Sequence, residues 1–123
     1  MKKKMKISWL AEPAENDYSA AETYLQLMTD KKKAHSLTKR LKRARLSEYY
    51  AKDVLRASET PMAEVQAFDW VKQNNEINAG TPLSPILLVR DVSGRRLIVA
   101  DGFHRLCAVF AVDQEALIPC KLA

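Results

Sequence analysis

From residue 17 to residue 58 the chain carries neither glycine nor proline, and from residue 81 onward its apolar residues fall in short runs broken by both. A stretch without breakers favours helix, and short apolar runs bounded by turn residues favour strands. The chain therefore reads as helices first and a sheet afterwards, an α+β arrangement. Its 123 residues suit one domain, and an apolar content of 47% is enough for a core. The expected division is a helical N-terminal extension over 1–46 and an α+β core over 47–123, with no linker between them.

Within the helical half, Ser19-x-x-Glu22 has the form of a capping box, followed by Ala21, Leu25 and Met28 on one stripe with Tyr18 just before it. A second helix is expected over 31–46, where Ala34, Leu37, Leu41 and Ala44 make a narrow apolar stripe and basic residues fill most of the remaining circumference. Residues 47–59 suit either a helix turn or a first strand. Thr60-Pro61 reads as a helix start, with Val65, Phe68 and Val71 buried, Trp70 at the edge, and Gly80 as the stop. Ile86–Arg90 and Arg95–Ala100 then form an antiparallel hairpin about a Val92-Ser93-Gly94 turn. A helix starts near Phe103, and a last strand over 118–122 is expected at a sheet edge because Pro119 lacks a ladder donor.

The net charge of +5 conceals its distribution. Residues 1–6 hold four lysines and residues 31–45 hold eight basic residues and no acid, leaving 8 basic against 15 acidic residues elsewhere, a net of −7. Such a block meets an anionic partner or forms a solvated face. Lys39, Arg40, Lys42 and Arg43 are the candidates for nucleic-acid contact, without any evident groove-reading geometry. No apolar run approaches the roughly 18 residues of a membrane span, so no membrane association is expected. The basic opening lacks the apolar stretch of a secretory signal, and the two cysteines, Cys107 and Cys120, are too few for a disulfide framework. A cytoplasmic protein with reduced thiols is expected. Two histidines and cysteines without C-x-x-C spacing give no dedicated metal site.

The segment VADGFHRLCA, residues 99–108, carries the chemistry. A strand ends, Asp101-Gly102 turns the chain, and a helix opens with His104 and Arg105 in its first turn. A helix start offers backbone N–H groups and partial positive charge. Gly102 permits close approach, Arg105 offers a two-pronged grip on phosphate, and His104 donates a hydrogen bond or shuttles a proton. Asp101 fixes the turn, takes a proton, or holds a magnesium ion carried in with a nucleotide. The same residues also suit a plain turn, with Asp101 as cap and Arg105 paired to a carboxylate. Two cations in a helix's first turn oppose the macrodipole, which favours an anion between them. Cys107, i+3 from His104, lies on the apolar stripe and reads as core. Trp9, Trp70 and one of Tyr49 and Tyr50 are candidate stacking platforms for a base.

The string from Pro85 to Leu122, PILLVRDVSGRRLIVADGFHRLCAVFAVDQEALIPCKL, resembles the core of the ParB/sulfiredoxin superfamily: a strand after a proline, a hairpin, a D-G-x-H-R signature opening a helix, and a short I-P-x-x-hydrophobic strand. The helix at 61–78 and the YYAKDVLRASETPM segment extend the likeness upstream. The whole chain also resembles a family of small bacterial ParB-like proteins through its WLAEPAENDYSAAETYL and AKDVLRAS segments, which brings no activity with it. The superfamily resemblance implies a small mixed sheet with an added N-terminal helical layer, and nucleotide chemistry at the turn. ParB proteins bind CTP there, sulfiredoxins bind ATP, and free-serine kinases of the same fold transfer a phosphoryl group. The carried-over positions are Asp101, Gly102, His104 and Arg105. Phe103 stands inside the same nucleotide-binding turn, where sulfiredoxin has its cysteine and the kinases a histidine, so sulfiredoxin activity is not expected. Glu59 and Glu64 are candidates by location alone for the kinases' upstream glutamate. ParB's DNA-reading helices do not follow, so a partition clamp is not expected. The expected function is binding of a nucleotide or phosphorylated small molecule at DGFHR, with phosphoryl transfer or hydrolysis left open, as is a homo-oligomer. The alternatives are nucleic-acid association through 31–45 and docking of a protein partner on that helix.

Overall fold

Ile86, Leu87, Leu88 and Val89 are all buried. A strand covered on both faces needs a layer on each side, and the chain supplies both. The computed structural model describes residues 6–61, 71–91 and 96–123. Among them run α1 (Glu15–Met28), α2 (Lys31–Arg43), β1 (Ser47–Tyr50), α3 (Ala51–Ala57), α4 (Val71–Ala79), β2 (Ile86–Arg90), β3 (Leu97–Asp101), α5 (Phe103–Val112) and β4 (Leu117–Leu122). The fold is α+β with one mixed sheet in the order β1-β4-β2-β3; β2 runs parallel to β4, and the other pairs are antiparallel.

One face of the sheet, through Leu87, Val89, Ile98 and Ala100, packs on Tyr18, Ala21 and Leu25 of α1 and on Ala34 and Leu41 of α2. The other, through Ile86, Leu88, Ile118 and Cys120, packs on Val54 and Leu55 of α3, Ile77 of α4, and Leu106, Cys107 and Val109 of α5. The N-terminal helical pair is therefore a layer of the same core. Among the described residues no helix is long and apolar enough to cross a membrane.

Four expectations change. α1 begins at Glu15 rather than at Ser19, because the Ala14 amide is held by the Ser84 hydroxyl at 3.0 Å, which anchors the helix start to the loop before β2. Its buried stripe is Asp17, Tyr18, Ala21 and Leu25, and Met28 is left exposed. Residues 47–59 hold both candidates, a strand and then a helix. Val71 is 62% exposed, since Ile77 is the residue through which α4 joins the core. Val65, Phe68, Trp70, Glu64 and the turn at 92–94 lie outside the described residues.

The fourth correction concerns β4, which is an inner strand although it contains Pro119. The alternation of the backbone puts the Pro119 nitrogen on the β2 side, as it does the Ala123 nitrogen, which bonds Leu88. The parallel ladder starts only at Ile86↔Cys120. The missing donor thus faces the chain just before β2, where no ladder bond is due. Lys121, also on β4, is buried; its Nζ donates to the Lys42 carbonyl at the end of α2 at 3.0 Å and lies 5.5 Å from the Tyr18 ring centre. A long stem with a charged tip lets a strand residue hold a helix C-terminus in this way.

Candidate functional site at the β3–α5 turn

Along β3 the pairing runs Leu88↔Val99 and then Leu87↔Asp101, so one extra residue is inserted at Ala100. Regular alternation would send Ala100 and Asp101 to opposite faces. The bulge instead brings Asp101 opposite Leu87, on the face covered by α1. A bulge that re-aims a side chain is common beside functional sites.

Asp101 meets a small, largely buried polar cluster there, in which Asp17 and Ser84 are buried and Asp101 and Arg105 partly so. Arg105, one turn along α5, donates from Nη2 to Asp101 Oδ2 at 3.0 Å; the same nitrogen lies 3.7 Å from Asp17 Oδ2 and 3.5 Å from the Pro85 carbonyl. The Ser84 hydroxyl donates to Asp17 Oδ2 while accepting the Ala14 amide. Among the described residues the buried Arg105 Nε has no hydrogen-bond partner. Burial pushes the Asp101 carboxyl up from its ordinary value of 3.8; Arg105 pulls it back, and Asp17, within hydrogen-bond reach, pushes it up again. Two carboxyls at one guanidinium favour retaining a proton.

Gly102 makes the corner. Its φ of +102° is left-handed, and a Cβ there would lie 2.8 Å from Arg105 Nη2 and 3.0 Å from Ile86 Cγ1. Only glycine admits both the dihedral and the ion pair beside it. α5 starts directly after it, with Gly102 as N-cap and no side-chain cap. The first intrahelical bond is Leu106 N–H to the Gly102 carbonyl at 2.9 Å.

This corner ends a cleft of about 460 Å³ that runs along β3. Asp101, Gly102, Phe103 and His104 line one end, Tyr24 and Met28 of α1 one wall, and Ser58, Glu59 and Thr60 the other, with Arg96 at the far end of β3. Glu59 has a φ of +56°, the one non-glycine positive φ among the described residues. It closes α3 in a Schellman turn: Thr60 N–H bonds the Leu55 carbonyl at 3.3 Å and Glu59 N–H bonds the Arg56 carbonyl at 3.0 Å. Glycine would hold that position more cheaply, yet the chain places an exposed carboxylate there, on the cleft.

The structure thus brings Asp101, Gly102, Phe103 and His104 together at one cleft and places Arg105 behind them. Arg105, expected to grip a phosphate, is not among the lining residues, because its guanidinium is engaged by the chain's own carboxylates. Magnesium fits poorly: Asp101 Oδ2 is taken by Arg105, and among the described residues no group of three or more His, Cys, Asp or Glu could hold a metal. Trp9 forms a bridge to Leu83 and packs on the core, while Tyr49 and Tyr50 lie on β1, away from the cleft lining. Cys107 is buried. Asp17, Ser84, Tyr24 and Arg96 belong to the site or its support and were not picked out by motif. Asp17 had a signal: it is a lone acid at i−4 and i−8 from Ala21 and Leu25, on the stripe that must be buried.

No family model, no curated protein and no solved structure matches this chain.

Proposed function

We propose that the β3–α5 cleft binds a phosphorylated small molecule, a nucleotide foremost, with its anionic group at the start of α5. The observation that carries this reading is the glycine-headed first turn of α5 lining a cleft of about 460 Å³ with Arg96 also among its lining residues. Helix starts of this kind suit phosphate, and the volume lies within the roughly 300–1,000 Å³ of small-ligand sites. His104, exposed at the corner, donates to a phosphate oxygen, and Phe103 and Gly102 shape the floor. Tyr24 offers a ring face to the organic part of the ligand. Arg105 is a positioning residue: it holds Asp101 and, through Gly102, the corner itself.

Asp101, with its raised affinity for a proton, and His104 are the acid/base pair for phosphoryl transfer or hydrolysis, and Glu59 faces them as a further carboxylate. This reading agrees with a ParB/sulfiredoxin-like core over 47–123, and with a cytoplasmic setting in which Cys107 and Cys120 stay reduced. The test is a thermal-shift screen with ATP, ADP, CTP and pyrophosphate, with and without magnesium. Stabilisation by at least one of them, lost in His104→Ala, is expected. A flat response to all of them removes the proposal.

A further inference from the structure

Among the described residues the densest positive charge lies away from this cleft, on α2. Its buried residues Ala34, Thr38 and Leu41 face α1 and the sheet. With 3.6 residues per turn, Lys32, Lys39 and Arg43 fall on the opposite side, flanked by Lys33 and Arg40. All five are exposed, and among the described residues none of them has an acidic partner; the ion pairs of this helix are His35–Glu22 and Lys42–Glu15. The helix bears this charge against its own local preferences. Three lysines occupy its first turn, at the positive end of the macrodipole, and Lys39 and Arg43 repel at i, i+4. Asp30 is the sole acidic help at that end, accepting the Lys33 amide at 2.7 Å.

We propose that this outer face of α2 docks the phosphate backbone of double-stranded DNA, through Lys32, Lys33, Lys39, Arg40 and Arg43. From Lys32 to Arg43 the row is about 16 Å long at about 1.5 Å per residue, and a duplex offers one negative charge per roughly 1.7 Å of axis. The charge is complementary, and the row spans several phosphates. An anionic membrane surface is a worse match. A membrane-surface helix needs an apolar face to insert, whereas the apolar stripe of α2 is buried in the core and none of the exposed large apolar side chains belongs to α2. The five contacts are all cations suited to phosphate, so the binding is indifferent to base sequence.

The test is fluorescence anisotropy with a short random-sequence duplex across a salt series. Five phosphate contacts give a log–log slope of about −4.5, which is about 500-fold weaker binding between about 50 and 200 mM salt. Replacing Lys39, Arg40 and Arg43 together by glutamine, all at exposed positions, is expected to reduce the slope to about −2, and His104→Ala to leave it unchanged. The proposal is overturned if the parent fails to bind duplex at the lowest salt, if the triple variant keeps the parent's slope, or if anionic phospholipid vesicles are bound through these residues while duplex is not. Failure here leaves the cleft reading intact, because none of the five residues lines the cleft.

Discussion

Arg105 Nη2 and Asp101 Oδ2 are 3.0 Å apart across the corner between β3 and α5, and Asp17 of α1 completes the grouping at 3.7 Å from the same nitrogen. One guanidinium therefore joins the sheet, the helix that follows it and the N-terminal helical layer. Its removal leaves two carboxyls facing each other with no counter-charge. The pair is part-buried, with side chains 18% and 17% exposed, so its loss falls between that of a surface pair and that of a fully buried one, and Arg105→Ala is expected to cost about 2–3 kcal/mol in urea unfolding. A loss below about 1 kcal/mol, the scale of a surface pair, would show that the guanidinium does not hold the corner.

Asp101 gives a pH signature with a defined sign. Its carboxyl is raised above 3.8, chiefly by burial, so the folded state keeps a proton that the unfolded chain has already released. The stabilisation from that proton is complete below the unfolded value and is lost as pH rises through the folded one. Measured against Asp101→Asn, the parent is expected to lose relative stability from about pH 4 upward and to level off once the carboxyl is ionised. Unfolding of both proteins by urea across the acid range reads this directly. A parent that gains on the variant as pH rises has the opposite linkage.

Glu59 separates folding from function. Glycine at a left-handed helix stop relieves roughly 1 kcal/mol of backbone strain, so Glu59→Gly is expected to unfold later than the parent. The same change removes a carboxylate from the cleft wall and is expected to lower turnover without weakening nucleotide-induced stabilisation, since it also removes a negative charge facing the anion. A variant that is more stable and fully functional would make Glu59 a bystander.

Much of the fold was legible. The change from breaker-free chain to short apolar runs marked the passage from helices to sheet, and Gly80 and Gly102 stand with positive φ where turns were read. Three things were not legible, for physical reasons. Pro119 pointed to an edge because propensity does not reveal which side of a strand lacks its partner. Arg105 looked like a phosphate grip although its nearest counter-ion, Asp101, stands at i−4; the second, Asp17, is far away in sequence and reaches it only through the packing of α1 on the sheet. The bulge at Ala100, which aims Asp101 into that cluster, leaves no residue-level mark either.

Neither thiol is placed for chemistry. Cys107 and Cys120 are both buried, and burial together with the Glu48 charge pushes the Cys120 thiol up to about 12. Thiolates are the reactive form, so an aromatic disulfide reagent is expected to leave the native protein unmodified and to titrate both cysteines in concentrated guanidinium chloride. Rapid reaction of Cys107 in the native state would reopen a cysteine-based activity at the DGFHR turn.

An anion on the first turn of α5 is what the cleft is proposed to hold. Amide chemical-shift mapping with pyrophosphate and then ATP tests it without assuming a reaction. Saturable shifts are expected, concentrated on Gly102, Phe103 and His104, with weaker ones at Thr60 and Arg96, all abolished by His104→Ala together with Arg96→Ala. Shifts confined to the lysines and arginines of α2, or no saturable shift in residues 101–105, would contradict it.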